Sequence, residues 1–133
     1  MSFLEPKDYA ILAAQAAADK KASDVTVIGV GEILVVADYF LIATGNTDRQ
    51  VRVIAEEIES QLKEAGLRAI GREGEQEGKW LLVDFGELVI HIFQPSERAF
   101  YRLENLWSDA PHLELDPEVV NASGTIESPE TVQ

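Results

Sequence analysis

The chain has 133 residues, with 24 Asp and Glu against 11 Lys and Arg, for a formal net charge of −13 at neutral pH. So acidic a protein is ill suited to holding nucleic-acid phosphates, which binders neutralise with Lys and Arg. It has no cysteine, which excludes disulfides, thiolate metal sites and thiol nucleophiles. Its length suits one domain with a sizeable core, and no apolar run approaches the roughly 20 residues of a membrane helix.

The N-terminal stretch M-S-F-L-E-P-K-D lacks the apolar segment of a signal peptide and the Arg-rich character of a transit peptide, so a cytoplasmic protein is expected. A first helix is expected over Lys7 to Lys21, with Pro6 near its first position. Its alanines (Ala10, Ala13, Ala14, Ala16, Ala17, Ala18) permit close approach to a sheet. Val25 to Val30 reads as a β-branched strand. Glu32 to Val36 fits either a strand or a helical turn, and Ala37 to Thr44 is apolar enough for an interior strand. Thr47 and Gln50 form a capping box for a helix over Asp48 to Ala65, whose Val51, Ile54, Ala55, Ile58 and Leu62 make an amphipathic stripe. Leu67 to Gly71 reads as a third strand and Arg72 to Lys79 as a polar loop.

Trp80 to Phe93 (W-L-L-V-D-F-G-E-L-V-I-H-I-F) is the stretch around which the rest is arranged. Gly86-Glu87 fits a two-residue type II′ hairpin turn, which pairs Phe85 with Leu88, Val83 with Ile90 and Leu81 with Ile92. Alternation puts those six on one apolar face. The opposite face sets Trp80 beside Phe93, Leu82 beside His91 and Asp84 beside Val89. A Trp and a Leu there fit a second core layer, but the acid at the row's end, the lack of catalytic motifs and the acidic body favour a surface left open for a partner, and His91 fits either a strand histidine packed on Leu82 or a polar member of that surface. Pro95 starts a last helix, Ser96 to Trp107, with Phe100, Leu103 and Trp107 on one side. The domain is taken to occupy 1–110. Residues 111–133 hold five acids and no Lys or Arg and read as an acidic tail, disordered from about Leu115.

Other chemistry is thinly supported. Thr44-Gly45-Asn46-Thr47 between strand and helix suggests an anion site but lacks a P-loop's lysine and glycine spacing. Asp38, Asp84 and Glu87 could hold magnesium, yet no phosphate cradle accompanies them. His91 and His112 are the only histidines and carry no metal-ligand spacing. No catalytic residue, cofactor or metal site is assigned.

D-K-K-A-S-D-V (Asp19–Val25), A-D-Y-F-L-I-A-T-G (Ala37–Gly45), D-R-Q-V-R-V-I-A (Asp48–Ala55), the hairpin itself and R-A-F-Y-R-L-E-N-L-W (Arg98–Trp107) resemble the ribosomal silencing factor, or Iojap, family in order and spacing. The resemblance runs from about Tyr9 to Ser108. It implies a single α/β domain with a mixed, roughly five-stranded sheet, laid out like a nucleotidyltransferase core but without activity. It further implies a translational repressor that binds the large ribosomal subunit through ribosomal protein number fourteen and blocks joining of the small subunit. A role in large-subunit maturation and a homodimer in the free state are also implied. The family's docking surface carries over onto Trp80, Leu82 and Asp84, and Glu87 and His91 match its pattern. An acidic protein of this kind is expected to reach the ribosome through a basic protein, with little direct nucleic-acid binding. The competing reading is a magnesium-dependent enzyme of nucleotide binding or nucleotidyl transfer.

Overall fold

The computed structural model describes residues 4–31, 37–107 and 109–115. The elements run α1 (Pro6–Asp19), β1 (Ser23–Gly29), β2 (Tyr39–Thr44), α2 (Asp48–Glu64), β3 (Gly71–Glu73), β4 (Trp80–Asp84), β5 (Leu88–Phe93), α3 (Pro95–Tyr101) and α4 (Leu103–Leu106). The five strands form one mixed sheet in the order β1-β2-β5-β4-β3. β2 and β5 are parallel, and every other pairing is antiparallel.

The β4–β5 hairpin has the expected register, with Val83 opposite Ile90, Leu81 opposite Ile92 and Trp80 opposite Phe93. Gly86 takes a φ of +92° while Glu87 does not enter the positive region, as a type II′ turn requires. The Phe85 amide donates to the Leu88 carbonyl at 2.9 Å to close the turn. The apolar side of the hairpin packs under α1 and α2. Ala10, Ala13, Ala14, Ala16 and Ala17 of α1 are wholly buried there with Val51, Ile54, Ile58 and Leu62 of α2 and Val27, Leu41, Ile90 and Ile92 of the sheet. Alanine lets α1 lie close enough to touch both the sheet and α2 without displacing the larger α2 residues.

Half of the expected α2 capping box forms, since the Gln50 side chain accepts from Asn46 rather than from Thr47 itself, and Gln50 does a second task. Gln50 donates its backbone N–H to the Thr47 hydroxyl at 3.0 Å and accepts from the Asn46 amide at 2.7 Å. Its side-chain amide also donates to the Lys20 and Lys21 carbonyls at 3.2 and 3.1 Å. The C-terminal carbonyls of α1 are thereby satisfied by the start of α2. α1 ends at Asp19, two residues earlier than expected, because Lys21 turns left-handed at φ 66° to lead into β1.

Two elements differ from the sequence reading. The third strand is Gly71–Glu73 rather than Leu67 to Gly71. A strand exists only where a neighbour offers a ladder, and β4 offers its end, Asp84, to Gly71 and then Val83 to Arg72. Leu67 and Ala69 pack on the core as the connection from α2. The last helix breaks in two at Arg102, which adopts φ 48°, ψ 49°. The break turns Leu103 and Trp107 onto the second face of the sheet, whereas Phe100 points out at 78% exposure. Burying a Leu and a Trp outweighs one left-handed residue at about 1–2 kcal/mol.

Pro111–Leu115, assigned to the tail on sequence, lie along the free edge of β1. Gly29 donates to the Pro111 carbonyl at 2.8 Å and Leu113 donates to the Val27 carbonyl at 2.8 Å, and Leu113 and Leu115 pack on the core. Glu32 to Val36, left open between strand and turn, and the tail from Asp116 lie outside the described residues.

Candidate functional site

The second face of the sheet is where a polar group meets large apolar ones. From β1 to β4 it presents Ile28, then Phe40 and Ile42, then Val89, His91 and Phe93, then Trp80, Leu82 and Asp84. Leu103, Trp107 and Ala110 cover its β1–β2 side as a small second core with Ile28, Val30, Ala37, Ile42 and Phe93. Cover thins toward β4, so Trp80, Leu82, Asp84 and Val89 are each only partly buried.

The expected site residues fall as follows. Trp80, Leu82 and Asp84 lie in one row along β4, and His91 lies beside Leu82 on β5. Glu87 does not join that row. It sits exposed in the hairpin turn, where its carbonyl accepts from the Asp38 and Tyr39 amides at 2.8 and 3.1 Å and so seats the start of β2. Asp84 accepts from the Gly86 amide at 2.8 Å, so it shapes the turn while presenting charge at the row's end.

His91 is the most constrained member. It is 5% exposed, and its Nδ1 accepts from the Trp80 indole N–H at 3.2 Å. The ring is therefore neutral with its proton on Nε2, and burial pushes its pKa down from 6.5 to about 4. The unfolded chain binds that proton near pH 6.5 and the folded one does not until near pH 4. The stabilisation is fully present above the higher value and is lost as pH falls toward the lower one. The expected loss across that interval is on the order of 3 kcal/mol from 2.5 pH units at 1.36 kcal/mol each. Melting of the wild type against His91→Gln between pH 7.5 and 4.5 measures it, and an unchanged difference would mean that His91 is not held neutral.

Sequence reasoning missed two neighbours. Phe40 stands edge-on to His91 at 4.9 Å and to Trp107 at 5.7 Å. The parallel β2–β5 register that brings it there leaves no local trace. Tyr101 lies 4.7 Å from Trp80, which also packs on Phe93 at 4.9 Å. Tyr101 reaches Trp80 from α3, which the break at Arg102 ends.

The competing chemistry gains little. The Gly45 position is tight because a Cβ would lie 3.0 Å from Val51 and 3.2 Å from Ile54, which is a packing demand of the strand–helix turn. Asp38, Asp84 and Glu87 share one end of the sheet, yet among the described residues no three His, Asp or Glu converge as metal ligands. A cleft of about 700 Å³ at the start of β1 and the end of β2, beside α3, is lined by Ser23, Thr44, Arg98 and Arg102. Arg98 there is already committed to the Asp24 carbonyl, the Thr44 hydroxyl and Glu104 at 2.9 to 3.1 Å. No helix among the described residues is long and apolar enough to cross a membrane.

Comparison with known proteins gives the same family as the motifs. The family model described as "Ribosomal silencing factor during starvation" matches residues 4–132, a longer span than the motifs cover. The chain is 45% identical over 113 residues to the Bacillus subtilis protein named ribosomal silencing factor RsfS, covering 85% of this chain and 96% of that one. It is 33% identical over 110 residues to chloroplastic Iojap of Zea mays, covering 80% of this chain and 46% of that longer protein. A crystal structure of a Chromobacterium violaceum protein superposes with a TM-score of 0.77 at 34% identity, covering 79% of this chain and 88% of that one. Motifs, sheet order and these matches agree, and the chain belongs to the ribosomal silencing factor family.

Proposed function

We propose that the protein is a translational repressor that docks on the large ribosomal subunit through ribosomal protein number fourteen and keeps the small subunit from joining. The observation that carries this reading is the half-covered β4 edge of the second sheet face. Trp80 and Leu82 are partly exposed there beside Asp84, a mix of aromatic anchor and polar rim common at interfaces. The acidity of the chain favours a basic protein over bare rRNA as the point of contact. Once docked, its bulk excludes the other subunit and its charge adds repulsion toward the small subunit's phosphates. A part in large-subunit maturation, and a homodimer of the free protein through the same face, are compatible with this surface.

Nucleotidyl transfer is the weaker reading, since its acids are separated and its cradle glycine is a packing residue. Sedimentation of purified subunits through sucrose gradients decides the matter. Excess protein is expected to hold subunits apart and to travel with the large one. Undisturbed formation of whole ribosomes, or turnover of a nucleoside triphosphate with magnesium, would overturn the repressor reading.

A further inference from the structure

β1 is an outer strand of the sheet and the longest of the five described. Residues 25–30 (V-T-V-I-G-V), nearly all of them in β1, hold no charge and no proline. Left open at a sheet edge, such a run pairs readily with another chain. The opposite edge is unlike it. β3 has three residues, two of them the charged Arg72 and Glu73, and so offers a short and poor template. The β1 edge is instead closed by the chain itself. The bonds from Gly29 to Pro111 and from Leu113 to Val27, each 2.8 Å, bracket an antiparallel bridge between Ile28 and His112. Backbone groups of alternate residues face outward from an edge strand, so the Gly29 amide and the Val27 carbonyl are the groups that a further strand would take. Leu113 and Leu115 seat the segment on the main core, and Ala110 just before it is buried in the second one. The segment is itself a weak template. Pro111 has no N–H, Glu114 is exposed, and Asp116 and Pro117 follow in sequence.

We infer that residues 111–115 guard the β1 edge, acting as a built-in sixth strand that keeps β1 from pairing with the β1 of a second copy. A second copy is the partner that fits a bare edge here. The chain carries a net charge of −13 and repels itself over most of its surface, but residues 25–30 are uncharged. Two such runs meet antiparallel about a two-fold axis with no like charges opposed. Each then takes, from its copy, the backbone bonds that Pro111 and Leu113 supply within one chain. The guard stands apart from the docking reading, because β1 and β4 are separated in the sheet by β2 and β5.

Release of the guard in the full chain tests this. Leu113→Pro removes the N–H that reaches Val27, whereas Leu113→Ser with Leu115→Ser keeps the backbone and loses the apolar seat. A two-fold pair needs both edges open, so a guard seated about nine times in ten weakens association about a hundredfold. Analytical ultracentrifugation is therefore expected to show both variants self-associating about a hundredfold more tightly than wild type. In hydrogen exchange their Gly29 amide should lose protection at low protein concentration and regain it at high concentration, as a second copy's carbonyl replaces that of Pro111. Thr26→Lys, at a half-buried position of β1, brings like charges together across the new pair and is expected to return either variant to wild-type association. Wild-type association by the folded variants, association that survives Thr26→Lys, or failure of both variants to fold would each overturn the guard.

Discussion

Ile90→Asp is expected to leave no cooperative thermal transition. Ile90 is wholly buried on the central strand β5, between Leu41 of β2 and Val83 of β4, beneath α1 and α2. A carboxylate there has no cation beside it on either neighbouring strand, and burying an unpaired charge costs several kcal/mol after relaxation. Truncating the apolar side chain adds about 2–5 kcal/mol. Together these consume most of a stability that for such domains is about 5–15 kcal/mol. Val83→Asp is expected to be milder, because Arg72 faces position 83 across the β3–β4 ladder and can pair with the new acid. Circular dichroism melts of the two variants test the claim. A folded Ile90→Asp protein with near-native melting would mean that the hairpin's apolar face is not the core.

Trp80→Ala carries the second large effect, on docking and stability at once. The indole packs on Phe93 and Tyr101 and donates to His91, so its removal costs about 3 kcal/mol, the lower end for a buried aromatic. In the proposed interface, loss of this anchor is expected to add about 2 kcal/mol or more in binding, roughly a thirtyfold fall in affinity. The two losses are separated by Trp80→Phe, which keeps the ring contact with Phe93 and discards the indole N–H. Trp80→Phe is expected to melt within a few degrees of wild type and still to bind large subunits more weakly. Binding is read by co-sedimentation well below either melting point. Wild-type affinity in both variants, each shown to be folded, would remove the β4 row from the interface.

The hairpin was legible because its information is local. Strict alternation on either side of Gly86-Glu87 allows one register, and a slip by one residue would turn the six apolar side chains outward. The same holds for α2, whose stripe and Thr47 N-cap lie within one continuous segment. Trp80, Leu82, Asp84 and His91 therefore fall on one face from the sequence alone, as the ladder places them. Glu87 was adjacent in sequence but belongs to the turn, where alternation no longer governs direction.

What the sequence by itself determined, then, is the first two helices, the first two strands and the hairpin with their apolar faces, the hairpin register, the acidic surface and the family. The elements, the register and the surface follow from spacing within a dozen or so residues or from composition, and the family from the resemblance of motifs spread from about Tyr9 to Ser108. Only the tertiary structure decided how far the second face is covered. Leu103 and Trp107 reach it through a left-handed Arg102, and Phe40 reaches His91 through a parallel pairing of strands that lie more than forty residues apart in the chain. It likewise decided that β3 begins at Gly71, because strand identity at a sheet edge depends on where the neighbour ends. Contacts of this kind depend on the competition among distant groups for the same buried area, and no local pattern records which of them wins.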